Sequence, residues 1–308
     1  MPNTEKGLNM VPKMKVVQID GGIGRTICAE PALQKYAEKN KTVVLTPWPD
    51  IFEHAEYLEE VIPLDRGYLF NDIIRHGEFI YPEPYYRWQY YTQQEHLIES
   101  FDNMLNGKSS GITRPNFYFQ PKELKKGNVL VDRIRGESKY VIAFQPFGSG
   151  AQFNQQGQFF DNTYRSLSPL IAERIVDLLP ECIFLNCSHL EIHHPRVFSY
   201  KFGSRELIAV IHACDLVITV DSFLAHAAYA CNRQGLEILG STFAANIGYR
   251  KHFLTYTKQG YPASYTSNRI GGCIDRNQDA MSFSEKEIDD VIKMFRNKFL
   301  SKKRCGDL

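Results

Sequence analysis

Asp221, Ser222 and His226 are the residues whose types and spacing offer chemistry. They follow Leu216-Val-Ile-Thr-Val220, a short β-branched run without charge, which predicts a strand buried on both faces. Asp221 and Ser222 are strong helix N-cap residues, and Phe223 to Cys231 is alanine-rich and helix-compatible. A strand end that meets a helix start is where open α/β sheets place ligands. The free N–H groups and the helix dipole there favour an anion such as phosphate. A capped turn with an incidental histidine is the plain alternative.

The elements that must hold these residues repeat across the chain. Lys15–Ile19 predicts a first strand, Asp20 to Arg25 a glycine-rich turn containing Gly21, Gly22 and Gly24, and Thr26 to Lys39 a helix. The glycines do not form a G-x-G-x-x-G fingerprint, so a dinucleotide site is not indicated. Thr42–Thr46 and Glu60–Leu64 read as further strands, and a short helix starts at Asp50. The second half restarts at Tyr140–Phe144 with the turn Gln145-Pro-Phe-Gly-Ser-Gly150. Helices follow over Ser166–Leu179, Ser204–Ala213 and Phe283–Phe295, and strands over Cys182–Leu185 and Gly235–Leu239. Asn154 to Phe160 reads as a surface loop. Strands alternating with helices imply mostly parallel sheets.

Residues 68 to 119 differ in texture. Glu78 to Tyr91 carries seven aromatics and two prolines, which excludes one regular helix. It offers either a stacking surface for sugars or bases or core packed under a long loop. His96 to Leu105 is an amphipathic helix. The charged segment Lys122 to Glu137 marks the expected boundary between a first domain, 1–136, and a second, 137–285. Residues 286–308, a helix and basic tail, are expected to pack back toward the first domain.

With 308 residues, the chain exceeds what one core comfortably fills, so two domains are expected. A net charge of +1 gives no global attraction for nucleic acid. No apolar run reaches the roughly 18 residues that span a bilayer. The seven cysteines are scattered and odd in number. They read as reduced thiols of a cytoplasmic protein, taken as a monomer.

Two stretches resemble the ADP-heptose:lipopolysaccharide heptosyltransferase family, glycosyltransferase family 9. Gly24-Arg-Thr-Ile-Cys-Ala-Glu-Pro-Ala-Leu33 is similar to its opening motif, and Glu206 to Ala230 to its donor-site signature of Asp-Ser/Thr-Gly-x-x-His before an Ala-rich helix. Gly240-Ser-Thr242 looks like the Gly-x-Thr loop that follows. The likeness is poor between residues 66 and 136, as in a divergent member, and a phage-type enzyme is one reading. It implies a GT-B fold: α/β, with two Rossmann-like domains whose parallel sheets face a central cleft. It also implies inverting transfer from a nucleotide-diphosphate sugar, with no metal or other cofactor required.

By that resemblance Asp221 binds donor-sugar hydroxyls and His226 the phosphates or sugar. Gly148 and Ser149 fall on the diphosphate, Glu191 near the ribose, and Ser222, Gly240, Ser241 and Thr242 line the same site. Gly21, Gly22, Arg87 and Trp88 fall on the acceptor side. Departures from the pattern are informative. The aspartate expected as general base is Arg25 here, and an arginine stays protonated. Asp20 is then the first candidate base, with Asp50, Glu53 and His54 behind it, and Arg25 becomes a phosphate or acceptor contact. Phe223 replaces a glycine. No lysine matches the diphosphate lysine, a role open to Arg165. The acceptor is a lipopolysaccharide-type saccharide by family default, or a hydroxymethylated DNA base. A non-catalytic nucleotide-sugar or glycan binder of the same fold is the alternative.

Overall fold

The computed structural model of the protein describes residues 14–258 and 278–301. The first half is built on β1 (Lys15–Gln18), β2 (Thr42–Thr46), β3 (Glu60–Pro63) and β4 (Glu78–Ile80). They form one parallel sheet in the order β3-β2-β1-β4. Both central strands are Val-rich and buried, as strands covered on two faces must be. Between β1 and β2 runs α1 (Ile23–Ala37), which starts after Gly22 without a side-chain cap. Residues 68 to 91 break into short pieces, among them α2 (Leu69–Asp72) and α3 (Trp88–Tyr91). α4 (Leu97–Asn106) follows, and His96 and Glu99 close a reciprocal cap at its start.

The charged segment forms a regular helix, α5 (Pro121–Arg135), with Pro at its first position and Gln120 and Glu123 as its capping box. It packs on the second half, although it lies before residue 136. Gly127 makes this possible: a Cβ there would stand 2.5 Å from the Ala209 carbonyl oxygen.

The second half carries β5 (Tyr140–Gln145), β6 (Ala151–Phe153), β7 (Phe159–Asp161), α6 (Pro169–Asp177), β8 (Cys182–Asn186) and β9 (Val197–Ser199). α7 (Ser204–Ala213), β10 (Leu216–Val220), α8 (Phe223–Ala230), β11 (Gly235–Leu239), α9 (Ala244–Ile247) and β12 (Phe253–Thr257) follow. Six of these strands form a parallel sheet in the order β12-β11-β10-β5-β8-β9. The stretch expected as a surface loop is the tip of an antiparallel hairpin of β6 and β7.

The last helix, α10 (Glu285–Phe295), is capped by Ser284 as its sequence predicts. It does not return to the first half. Ile288, Val291, Ile292 and Phe295 join the apolar cluster of the second sheet, and Arg174 of α6 grips Asp289 at 2.7 and 2.8 Å. Cys273, Cys305 and the tail beyond Ser301 lie outside the described residues. No helix among the described residues is long and apolar enough to cross a membrane.

One apolar cluster joins the halves, uniting Val17, Ile19 and Val44 of the first sheet with Val141, Leu185 and Val217 of the second. α1 and α8 meet inside it. Asn246 adds a polar tie, its Nδ2 donating to the carbonyls of Tyr90 (2.7 Å) and Glu95 (2.9 Å). Substituting Gly127 tests the α5–α7 crossing. Gly127→Ala gains about 1 kcal/mol of helix propensity and loses about 1–3 kcal/mol to overpacking against backbone that cannot yield. The expected outcome is a net fall in Tm, read by thermal unfolding.

Candidate functional site

The two middle strands of the second sheet end side by side, so the turns after β5 and β10 share one corner. Ser222 is spent on building it. Its hydroxyl accepts the Leu224 N–H (3.2 Å) and donates to Gln145 Oε1 at the end of β5 (2.9 Å). The helix start is thus pinned to the neighbouring strand, and Asp221, largely buried, stands just before it.

Arg165 meets Asp221 there. Its guanidinium lies 3.5 Å from Asp221 Oδ2 and donates to the Ser149 hydroxyl at 3.3 Å. The loop that presents it is anchored on Asp161, which accepts from Thr163, from the Arg165 N–H (3.0 Å) and from the Ser166 hydroxyl (2.5 Å). Asp161 is half-buried, which alone would raise its pKa, but these donors outweigh burial and hold it low. Burial likewise opposes the charge on Arg165, yet Asp221 and Asp161 more than offset it, and its pKa is raised. Arg165 therefore remains a cation at any working pH. Gly148 is held by its N–H to Ser166 Oγ at 2.8 Å. The Ser241 hydroxyl donates to the Tyr164 carbonyl, which braces the same loop from the end of β11. Gly240 needs to be glycine, since a Cβ would strike the Ala280 carbonyl oxygen at 2.0 Å. Thr242 is half-buried beside it, and Glu191 is exposed on the loop after β8. A hollow of about 460 Å³ adjoins Ser149, lined also by Gly150, Gln152, Asn162, Thr163 and His189.

His226 lies one turn into α8 and faces the other domain. Its Nδ1 is 2.7 Å from the Tyr249 hydroxyl and 3.3 Å from Cys28 Sγ of α1. Burial and then the charge of Arg165 push its pKa down to about 4, so it is neutral at pH 7. α1 comes this close because Gly24 lacks a side chain: a Cβ would lie 2.8 Å from the His226 ring and 3.2 Å from Phe223 Cα. The starts of two helices from different domains thus converge, each with its positive dipole end.

On the first domain, β1 ends at Asp20, and Gly21 turns the chain away at φ +83°. The Gly21 carbonyl accepts Trp48 Nε1–H at 2.9 Å, and Gly22 is exposed. Arg25 does not reach outward. Buried to 5% exposure, it pairs with Glu83 (3.0 Å) and Asp20 (3.2 Å) and donates to the Pro82 carbonyl (3.0 Å). Arg87 is clamped by both oxygens of Glu95 at 2.9 and 2.8 Å, whereas Trp88 is 61% exposed with its ring edge-on to Tyr91. The reserve carboxylates are engaged by Arg205: Asp50 accepts its N–H at 3.2 Å and Glu53 lies 3.4 Å from its side chain. Tyr85 connects the two sides. Arg25 lies 5.3 Å over its ring, and its hydroxyl, pushed up to about 12 by burial, feels Arg25, Asp221 and Arg165 together.

No protein-family model matches the sequence, and no curated protein sequence does. Solved structures do match. The glycosyl transferase family 9 protein of Veillonella parvula DSM 2008 covers 93% of this chain and 98% of its own, at 13% identity and a TM-score of 0.63. E. coli ADP-heptose lps heptosyltransferase II covers 92% and 99%, at 11% identity and 0.59. E. coli heptosyltransferase WaaC, solved with ADP, covers 91% and 99%, at 13% and 0.55. The chain has the GT-B fold of these heptosyltransferases. Strand ends of two parallel sheets facing one space are what that fold provides.

The structure therefore brings Ser149, Arg165 and Asp221 together, and sets Ser222, Gly240 and Ser241 as their supports. Among the described residues, no group of three or more His, Cys, Asp or Glu is arranged to hold a metal ion. Tyr81, Glu83, Asp161 and Tyr249 are site residues that sequence reasoning did not single out. Only Asp161 carried a local signal, an Asp-Asn-Thr turn before a Ser-capped helix.

Glu237, in β11 behind Asp221, is wholly buried, and its Oε1 has no hydrogen-bond partner among the described residues. Burial, and then Asp221, push its carboxyl up to about 8. The unfolded carboxyl titrates near about 4.3. Between these values the folded chain keeps a proton the unfolded chain has lost, so this group's stabilisation is present at low pH and fades as pH rises. Glu237→Gln is neutral throughout. Its Tm is expected to fall less than that of the parent between pH 5 and 8, and parallel melting curves would contradict the assignment.

Proposed function

We propose that this protein is an inverting glycosyltransferase that moves a sugar from a nucleotide-diphosphate sugar to an acceptor hydroxyl. The observation that carries the reading is the pairing of an anion-binding corner with a carboxylate across from it. Arg165, the Ser149 hydroxyl and the start of α8 form the corner, and Asp20 stands at the end of β1 in the other sheet. The donor diphosphate sits at the corner, with Asp221 toward its sugar.

In the transfer step the acceptor hydroxyl gives its proton to the Asp20 carboxylate as its oxygen bonds to the anomeric carbon. The bond from that carbon to the phosphate oxygen breaks on the opposite face, and its electron pair leaves with the nucleoside diphosphate. Fixed charge and N–H groups aimed at that developing anion lower the barrier. His226, neutral at pH 7, adds no second charge and serves to join the domains.

A saccharide acceptor fits better than duplex DNA. The exposed rings of Tyr81, Tyr86 and Trp88 offer stacking faces, whereas the net charge of +1 gives little of the electrostatic attraction on which DNA binding relies. A mobility shift with duplex DNA at low salt would reverse that preference. The five described cysteines are buried free thiols, in keeping with a reducing compartment such as the cytoplasm.

A thermal-shift screen of ADP-, UDP- and GDP-sugars tests the donor assignment, with ADP-heptose the first probe because structural neighbours are solved with ADP and ADP-heptose. One donor class is expected to raise Tm, since a ligand at a hundred times its Kd adds about 2.7 kcal/mol. Arg165→Ala is expected to weaken that donor at least about tenfold, the scale of a lost charge-assisted hydrogen bond. A protein stabilised by none of these sugars would not be a glycosyltransferase of this kind.

A further inference from the structure

Arg25 is one cation facing two carboxylates. Its Nη1 lies 3.0 and 3.3 Å from the two oxygens of Glu83 and 3.2 Å from Asp20 Oδ1. The guanidinium cannot drift, because the rings of Tyr85 and Phe101 flank it at 5.3 and 5.7 Å and the Pro82 carbonyl takes its other end. Tyr81 completes the group. Its hydroxyl is 2.6 Å from Asp20 Oδ2 and 3.2 Å from Glu83 Oε2, so one O–H donor serves both carboxylates, with Asp20 the nearer acceptor. The two acids differ in access. The Glu83 side chain is 7% exposed and also accepts the Tyr85 N–H, while the Asp20 side chain is 26% exposed.

We propose that Tyr81 and Arg25 are positioning residues for Asp20: they form a bracket, itself held by Glu83, that keeps the Asp20 carboxylate ionised and aimed into the cleft as the general base. The assignment rests on the glycosyl-transfer reading above. It accounts for an arginine at a place where a base is expected: Arg25 is the fixed cation against which a relocated base is set. Among the described residues, charged and titratable groups that face Asp20 include Arg25 of α1 and Tyr81 and Glu83 of the segment after β4. A purely structural network would fasten that segment to α1 and have no effect on proton transfer.

Tyr81→Phe removes one hydroxyl from a ring that is 40% exposed, so the fold is retained. Losing a hydrogen bond donated to a carboxylate makes its ionised form less favourable. Two readouts follow in the full-length chain. The carboxyl-carbon NMR titration of Asp20, assigned by its loss in Asp20→Asn, is expected to shift its midpoint upward by about one pH unit in Tyr81→Phe. The turnover of ADP-heptose is expected to fall by up to about tenfold at pH values below the Asp20 midpoint and to recover well above it, with the donor KM unchanged. The titration needs no substrate, so it reads the bracket whether or not the donor assignment holds. An unmoved midpoint would overturn the positioning role and leave Asp20 as base untouched. Retained turnover in Asp20→Asn would overturn Asp20 itself.

Discussion

The relation between the two sheets depends on a missing side chain. Gly24 lets α1 lie against the first turn of α8 so closely that any Cβ would meet the His226 ring or the Phe223 backbone. From that contact follow the burial of Cys28, His226 and Tyr249 in one cluster, and the neutral state of the histidine. The convergence of two helix starts follows as well. Helix starts repel one another when nothing lies between them, and an anion bound there relieves the repulsion. Arg165 adds positive charge at the same corner, and Asp221 partly offsets it.

The sheets were largely legible because their central strands are short β-branched runs bounded by Gly, Pro and Asp. β4, β9 and β12 were not, and all three are edge strands with partly exposed residues, so no apolar run marks them. The hairpin of β6 and β7 escaped for a related reason: its Gln and Asn content reads as loop, and tertiary contacts such as Phe159 on Phe147 and His189 on the Ala151 carbonyl hold it. α5 was taken as a boundary from its charge, yet its Gly127 face is flush with α7.

The turn after β10 was legible for a different reason. Asp221, Ser222 and His226 lie within six residues, and a strand-to-helix turn keeps them together in space. The acid side was only half legible. Asp20 and Arg25 are local to one turn, but Tyr81 and Glu83, which hydrogen-bond to them, come from about sixty positions away along the chain. Long-range polar pairing leaves no periodicity behind, so composition showed the aromatics of that segment and not the carboxylate among them.

The continuous apolar cluster between the halves sets how the cleft opens. A hinge that swings two separate bodies apart would part α1 from α8 and separate Cys28 from His226 and Tyr249. Burying apolar surface is worth about 25 cal/mol per Å², so parting the two helices costs free energy in proportion to the apolar area between them. Admission of ligand by small sliding of packed helices keeps that surface covered. The glycine contact of α1 on α8 is then a smooth track, where a side chain would act as a catch.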